Sequence, residues 1–476
     1  MKKKPMLLLF IVACFIICII PSAGMLFFSS DETISNEDAF EFPPLVNEDN
    51  TFNQDIFEQL GTYFEKHFAF RPYVISLDAQ IQSKVFKVSN LDTVIVGKDD
   101  WLYYSSTLND YLGKNTLSDR AINNIAHNLK LTQDYVNSQG IDFLFTVAPN
   151  KNSVYDEYMP YYYGIPVSDR RNVDVLKTQL DEKGVNYCDL YPIFEESDEI
   201  LYLQQDSHWN DKGAKLVYDK ILTKLSKMPR DYSDTNVVRT KNFMGDLGKM
   251  LYPKTQESEY NYDYSEGFDF TYTTDTKSVE DAIIGTKSDR ASGSLYMYRD
   301  SFGNSLLPFF ASSYNKAYFT KTFPLNLSID LLVQKPDTVI IELVERNLNW
   351  LLTQPPVFLS PELTSYSIVD KMDCNVDVTA KTSQVNMTYI ELSGTLSEDI
   401  ITDNCKIYVK LTDNSGASHL FEAFHTSTDT SDYGFTAYVN AADYNSEKLS
   451  VSVVAYSDTS FKEIGSSTIK VEEVTY

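Results

Sequence analysis

Asp206, His208 and Ser301 are the residues whose types and settings in this 476-residue chain suit acyl chemistry. The first two stand in LYLQQDSHWN, Leu201 to Asn210, where an acid precedes a base by two positions and Trp209 follows. In an extended segment, residues i and i+2 point the same way and lie roughly 6.6 Å apart along the chain. The Asp206 carboxylate can then hold one nitrogen of the His208 ring, fix its tautomer and leave the other nitrogen to take a proton. Ser301 stands in SLYMYRDSFGNSLLPFF. An apolar run, Leu295 to Tyr298, leads directly into Asp300 and Ser301, and a helical pattern opens with Gly303 and Asn304. A serine between strand and helix offers its hydroxyl at the sheet edge, beside N–H groups that favour negative charge. That setting suits a tetrahedral oxyanion. The predicted roles are Ser301 as nucleophile, His208 as base and Asp206 as orienter. Each stretch alone has a plainer reading. Asp-x-His arises often by chance, and Asp-Ser caps ordinary helices. His127 lies mid-helix with no acid placed to orient it, and His67 sits among Phe64, Phe68 and Phe70, so both read as structural.

The elements around these residues predict an α/β domain. Strand-like runs are DTVIVG, WLYYS, IDFLFTVAP, VNYCDLYPIF, GSLYMY, KAYFT and DTVIIELV. Between them lie helical patterns: SDRAINNIAHNLKLTQDYVNSQG, with Ser118 as N-cap and Gly140 as stop; RNVDVLKTQLDEKG, ending at Gly184; DKGAKLVYDKILTKLSK; FGNSLLPFFASS; and NLSIDLLVQK. Such alternation implies a three-layer domain, a mainly parallel sheet covered on both faces, with its site at the carboxyl ends of the strands. Earlier, Ile56, Leu60, Phe64, Val74, Leu77 and Ile81 have helical spacing. After about residue 366 the pattern alternates polar and apolar between turns, which predicts an all-β sandwich. The expected organisation is a transmembrane anchor over 1–28, an acidic linker over 29–53, a catalytic domain over 54–365 and a β-sandwich over 366–476.

Charge and the N-terminus bound the compartment. With 41 basic and 67 acidic residues, the net charge of −26 repels phosphate backbones. It argues against nucleic-acid binding and against a polybasic grip on anionic lipid. Lys2, Lys3 and Lys4 precede an apolar run from Met6 to Ile20 that resumes after PSAG. This predicts a single-pass helix with a cytoplasmic N-terminus and the remainder outside. The rival is a signal peptide processed near PSAG; Met25, Leu26 and Phe28 beyond it favour an uncleaved anchor. Cys14 and Cys18 fall in the anchor and Cys188 reads as core. For Cys374 and Cys405 a disulfide and a pair of buried thiols both stay open. No Cys/His cluster has metal spacing, so neither metal nor cofactor is expected.

Several blocks resemble a known superfamily. RDSFGNSL resembles the nucleophile block of SGNH hydrolases, with Arg299 in place of glycine. DSHWNDKGAKLVYDKI resembles their last block, and KPDTVIIELVERN the block ending in Gly-x-Asn-Asp. The order is permuted, with the Asp/His block before the serine block. That order, with HFAFRP, GKDDWLYYS, VAPNKNSVYDEYMP and FMGDLGKML, resembles the alginate O-acetylation proteins and the bacterial DHHW family over about residues 50–350. Ser207 stands where the DHHW signature has a second histidine. The resemblance implies a bacterial membrane-anchored, extracytoplasmic O-acetyltransferase with Ser301, His208 and Asp206 as triad. It implies a polysaccharide acceptor, and an acetyl donor supplied beside a multi-span membrane O-acyltransferase. An acetylesterase of the same mechanism and a non-catalytic polysaccharide-binding partner are the alternatives. Asn304, Arg346 and Asn347 are oxyanion candidates. Lys151, Trp209 and Arg299 are substrate-binding candidates, each with a structural reading beside it. Trp101, Tyr103, Tyr104, Tyr161, Tyr162 and Tyr163 can stack on sugars or pack in the core. The C-terminal β-domain matches the carbohydrate-binding domain of some alginate-type members in position.

Overall fold

A computed structural model describes residues 3–25, 27–28, 40–47, 49–160, 164–413, 415–444, 448–457 and 459–472. Lys2, the Cys18 side chain, most of the acidic linker and Tyr161, Tyr162 and Tyr163 lie outside the described residues. The first element is the helix Lys3–Gly24. Its stretch Met6–Gly24 has 19 residues and a mean hydropathy of 2.9, and among the described residues none of it is buried by the rest of the chain. At about 1.5 Å per residue it is close to the roughly 30 Å of a hydrocarbon core.

Helices Ile56–His67 and Arg71–Ile81 follow, the second running on through a π-turn, Gln82–Phe86. Small residues of the second helix meet the body. The Lys254 N–H donates to Ser76 Oγ at 2.9 Å and the Tyr252 hydroxyl to Ser83 Oγ at 2.8 Å. The apolar positions that give this segment its spacing, Val74, Leu77 and Ile81, face away from the body and are exposed.

The central sheet has seven strands in the order Tyr187–Cys188, Asp142–Ala148, Thr338–Val344, Ser294–Tyr298, Lys316–Thr320, Ile283–Lys287, Thr271–Tyr272. The first five are parallel to one another. The last two pair antiparallel at one edge, so the sheet is mainly parallel, as the sequence pattern predicts, with an antiparallel edge that the pattern did not give. All seven residues of Thr338–Val344 are buried, as a strand covered on both faces requires. Alternate residues feed two cores. Leu144, Ala148, Leu295, Met297 and Ile340 pack with Val217, Ile221, Leu306 and Phe310 of helices Asp211–Lys224 and Gly303–Ser313. Phe143, Phe145, Val147, Tyr298 and Ile341 pack with Ile122, Ile125, Leu176 and Leu180 of helices Asp119–Ser138 and Asn172–Lys183. Period two on the strands and 3.6 on the helices thus give three layers. Each large apolar side chain so buried contributes about 1.5–3 kcal/mol. Local signals end the helices: Ser118 Oγ accepts the Ala121 N–H at 3.0 Å, and Gly184 closes its helix at φ +66°.

The C-terminal part is two five-stranded sheets. One holds Lys406–Thr412 and Leu449–Ser457, the other Tyr389–Thr395 and Ser431–Asn440. Ile407, Val409, Val451 and Val453 meet Ile390, Leu392, Ala437 and Val439 in one core, so the sheets form a sandwich. Cys405 is a thiol whose Sγ donates to the Lys406 carbonyl at 3.3 Å.

Helix Asp119–Ser138 is shared by both parts. Its apolar face covers the central sheet; its polar face enters the sandwich. Arg120 Nη1 donates to the carbonyls of Asp403 and Cys405 at 2.8 and 2.7 Å. Asn124 Nδ2 donates to the Asp432 carbonyl at 2.7 Å. Asn128 Nδ2 donates to the His425 carbonyl at 2.7 Å, and its Oδ1 accepts the His425 N–H at 2.9 Å. The His127 ring stacks on His425 with centroids 4.0 Å apart. The helix looks amphipathic in sequence, yet from Arg120 to Leu129 its polar residues are as buried as its apolar ones.

Candidate active site

The loop from Leu201 to Asn210 is tighter than an extended strand. Tyr202 bridges Trp209 antiparallel, and the Leu203 N–H donates to the His208 carbonyl at 3.1 Å. Asp206 Oδ1 accepts both the His208 N–H at 2.9 Å and Nδ1–H at 2.6 Å. One carboxylate oxygen therefore makes an Asx turn and orients the ring. The two side chains meet because the chain bends back, where the sequence spacing predicted two like-facing positions of a strand. His208 Nε2 is 2.9 Å from Ser301 Oγ, so Asp206, His208 and Ser301 form one hydrogen-bonded chain.

Electrostatics polarises it. Burial would raise the Asp206 carboxyl, but the His208 ring and the N–H donors of Asp246 and His208 outweigh it and hold the carboxyl at about 2. Burial would lower His208, but Asp206 and then Asp246 outweigh it and raise the ring above its usual 6.5. The ring is thus favoured as a proton holder and fixed through Nδ1.

Asp246 was not singled out as a site residue from the sequence. Its N–H donates to Asp206 Oδ2 at 2.8 Å. Its Oδ1 accepts the Ser207 N–H at 2.9 Å, and its Oδ2 accepts Ser207 Oγ–H at 2.6 Å while lying 3.8 Å from His208 Nδ1. The signal lay in FMGDLGKML. Gly245 packs so closely that a Cβ there would stand 2.3 Å from the Gln205 carbonyl oxygen. Among the described residues, Asp206, His208 and Asp246 bring ligand-type atoms within 4.8 Å of one another. Protein N–H and O–H donors already occupy these carboxylates, so the donor set is spent on the loop and ring.

Lys151 braces the same loop from below. Its buried ammonium donates to the carbonyls of Leu102, Gln204 and Asp206 at 2.8, 2.7 and 3.0 Å, and lies 4.7 Å from the Trp101 ring centre. Burial pushes it down to about 7 against the pull of Glu259, Asp206 and Asp246. Glu259, also missed in the sequence, accepts the N–H groups of Gln204 and Gln205 at 2.5 and 3.1 Å. Trp209 is 1% exposed and its Nε1–H donates to Ser305 Oγ at 2.6 Å, tying the histidine loop to the serine helix.

On the serine side, Asp300 Oδ1 accepts the Phe302 N–H at 2.9 Å. Its Oδ2 accepts the Val344 N–H at 2.7 Å and Asn347 Nδ2–H at 3.1 Å. Asp300 thus joins the exits of two adjacent strands. Buried Arg299 donates to the Val279 carbonyl at 2.8 Å and to Asn304 Oδ1, holding the segment around residues 279–281 beside the serine. Asn304 Nδ2 donates to Glu280 Oε1 at 2.6 Å. Glu342, raised well above the usual carboxylate range by burial and then Asp300, accepts the Asp300 N–H at 3.3 Å. Gly303 is required by this packing: a Cβ there would lie 2.7 Å from Arg299 Cβ. The N–H groups of Ser301 and Gly303 stand at the N-terminal end of helix Gly303–Ser313, where the first N–H groups of a helix lack an intrahelical acceptor. The Arg346 guanidinium lies 5.5 and 5.7 Å from the ring centres of Tyr104 and Phe302.

Two cavities meet at Ser301. One of about 760 Å³ is lined by His208, Phe243, Met250, Phe268, Asn304 and Phe309; the other, about 460 Å³, by Ser106, Asp300, Lys321, Asn347 and Trp350. Tyr104, Ser301 and Arg346 line both. Trp101 and Tyr103, by contrast, are buried.

Residues 94–291 match the family model described as SGNH hydrolase-like domain, acetyltransferase AlgX. The chain therefore carries an SGNH hydrolase-like domain. The matched stretch includes Asp206, His208 and Asp246 and ends before Ser301. No curated protein sequence matches the chain. Among solved structures, a DHHW family protein from Eubacterium siraeum is 18% identical, with 54% of this chain and 93% of that one covered and a TM-score of 0.43. Bacillus cereus PatB1 is 17% identical, covering 54% and 96%, with a TM-score of 0.42. The O-acetyltransferase domain of Pseudomonas putida AlgJ is 17% identical, covering 54% and 91%, with a TM-score of 0.35.

Proposed function

We propose that this protein, anchored by its N-terminal helix with the remainder outside the cytoplasm, transfers acetyl groups to hydroxyls of a cell-surface polysaccharide through an acetyl-Ser301 intermediate. The observation that carries the reading is the hydrogen-bonded chain from Asp206 through His208 to Ser301, at 2.6 and 2.9 Å, opening on the cavities. The family match to an acetyltransferase domain over residues 94–291 supports it.

In the first half-reaction, Ser301 Oγ bonds to the acetyl carbonyl carbon as its proton passes to His208 Nε2. Asp206 stabilises the resulting imidazolium. The oxyanion is met by the N–H groups of Ser301 and Gly303, with Arg346 adding positive charge. The intermediate collapses, breaking the bond to the donor oxygen, which takes the proton from His208. In the second half, a sugar hydroxyl gives its proton to His208 and attacks the acetyl-serine, releasing acetylated sugar and restoring Ser301. Asn304 and Asn347, both tied to acidic groups, hold the walls of the site. Lys151, Trp209 and Arg299 act by positioning. The donor arrives from a multi-span membrane O-acyltransferase.

The His208 side chain is 21% exposed, so water can replace the sugar; this favours acetylester hydrolysis as a second reading. A sulfonyl fluoride probe should label the wild-type protein and fail to label Ser301→Ala. Labelling that persists in Ser301→Ala, or is absent from wild type, refutes the nucleophile. With an acetyl ester and oligosaccharides present, acetylated sugar marks the transferase and acetate alone marks the esterase.

A further inference from the structure

A helix on the surface of a soluble domain turns its apolar stripe inward. The segment Arg71–Ile81, with the π-turn Gln82–Phe86, does the reverse. Its small residues Pro72, Ser76, Ala79 and Ser83 meet the body. Its large apolar residues point out: Val74, Leu77, Ile81 and Val85, three or four positions apart, are 50, 59, 46 and 69% exposed. Phe70 begins this stripe, and Tyr73 and Phe86 flank it, all exposed.

The stripe is continuous with the apolar N-terminal helix. The Ala69 N–H donates to the Pro21 carbonyl at 3.2 Å, and the rings of Phe28 and Phe70 lie 5.4 Å apart. Gly24 is packed so tightly on Ala69 that a Cβ would stand 2.5 Å from its Cβ. The stripe therefore starts where the span Met6–Gly24 ends, at the level of the lipid headgroups. Charge fits that level as well. Residues 56–88 carry four basic residues, Lys66, Arg71, Lys84 and Lys87, and three acidic ones, whereas the whole chain carries −26. Aromatic residues at the stripe's margin suit the same interface.

We infer that the outward face of Arg71–Phe86 lies in the outer surface of the membrane, a second, in-plane contact beside the spanning helix. The contact is apolar, with lysines at its edge; a polybasic grip plays no part. An interfacial helix of this kind sinks its apolar face roughly 5–10 Å into the headgroup boundary. The inference rests on the reading of Met6–Gly24 as a membrane span. It adds an orientation: one helix end alone leaves the domain free to swivel, whereas two contacts fix which side faces the bilayer.

The test uses the full chain in vesicles of phosphatidylethanolamine and phosphatidylglycerol. An environment-sensitive fluorescent amino acid is placed singly at Leu77, Val85, Phe28 or, as a water-exposed reference in the sandwich, Met387. Nitroxide-bearing lipid is the quencher. Emission from Leu77 and Val85 should lose as large a share as that from Phe28, and Met387 none. Quenching at Phe28 without quenching at Leu77 and Val85 overturns the inference and leaves the span intact. No quenching at any of the three overturns both. A blue shift at Leu77 that lipid quencher does not touch means that a second copy covers the face, which also overturns it. With the probe at Val74, the combined Leu77→Gln, Ile81→Gln and Val85→Gln variant should lose most of the quenching at an unchanged melting temperature. Unchanged quenching in that variant overturns the inference.

Discussion

His208 stands between two carboxylates, and this sets the pH at which it can serve as a base. Asp206 and Asp246 raise the ring above 6.5 against the opposing effect of burial. A base must be neutral, so acetyl-ester turnover should fall as pH drops through that raised value and level off above it. The linkage to stability runs the other way. A raised histidine contributes fully below 6.5 and loses its contribution as pH rises through its folded value. Asp206, held at about 2 from a usual 3.8, contributes above 3.8 and loses it as pH falls toward 2. Asp206→Asn should lower kcat by roughly 10³–10⁴-fold, the scale of a triad that has lost its orienting acid, and move the acidic limb of the rate profile to lower pH. Asp246→Asn should move that limb in the same direction by less, with KM unchanged. A profile that stays in place in Asp246→Asn removes Asp246 from the proton chemistry and leaves it a loop clamp.

At the scale of elements, the site depends on how closely three chain segments approach the histidine loop. Gly245→Ala would set a methyl 2.3 Å from the Gln205 oxygen; overpacking of this kind costs about 1–3 kcal/mol and should lower both the denaturation midpoint and activity. Lys151→Met would leave three carbonyls without their donor and Glu259 without its counter-charge. It should destabilise by about 3 kcal/mol or more, visible as a lower urea midpoint. Much of the scaffold was legible because its signals are local. Ser118 and Gly184 mark helix ends, continuous apolar runs mark buried strands, and a serine at a strand-to-helix junction marks the sheet rim. The edge strands Thr271–Tyr272 and Ile283–Lys287 were not, because they are short and defined by antiparallel partners distant in sequence. Asp246, Glu259 and Glu342 were equally hidden: a carboxylate that braces a segment 39 to 55 residues away leaves no periodic trace. The outward stripe of Arg71–Ile81 has the spacing of a core helix, and spacing alone does not say which way a face turns.

The whole molecule is joined through helix Asp119–Ser138. Burial holds His127 down at about 4, with Glu422 pulling it up and Lys406 and Lys183 pushing it down. Burial, with His127, Arg120 and the same lysines, keeps His425 well below its usual value. The neutral pair contributes stability above pH 6.5, and that contribution is lost as pH falls through 6.5 toward 4. Thermal melts should therefore show the two parts separating before either unfolds in mild acid. His127→Gln should flatten that pH dependence. The helix is at once a layer over the central sheet and a floor for the sandwich, so the two parts share one packed element. If the sandwich grips a glycan, the bound sugar and the reacting serine stand at one set offset. The distance between modified sugars along a strand of polymer would then be measured out by the protein's own dimensions, as a ruler does, and lengthening that offset would change the pattern of decoration without touching the chemistry.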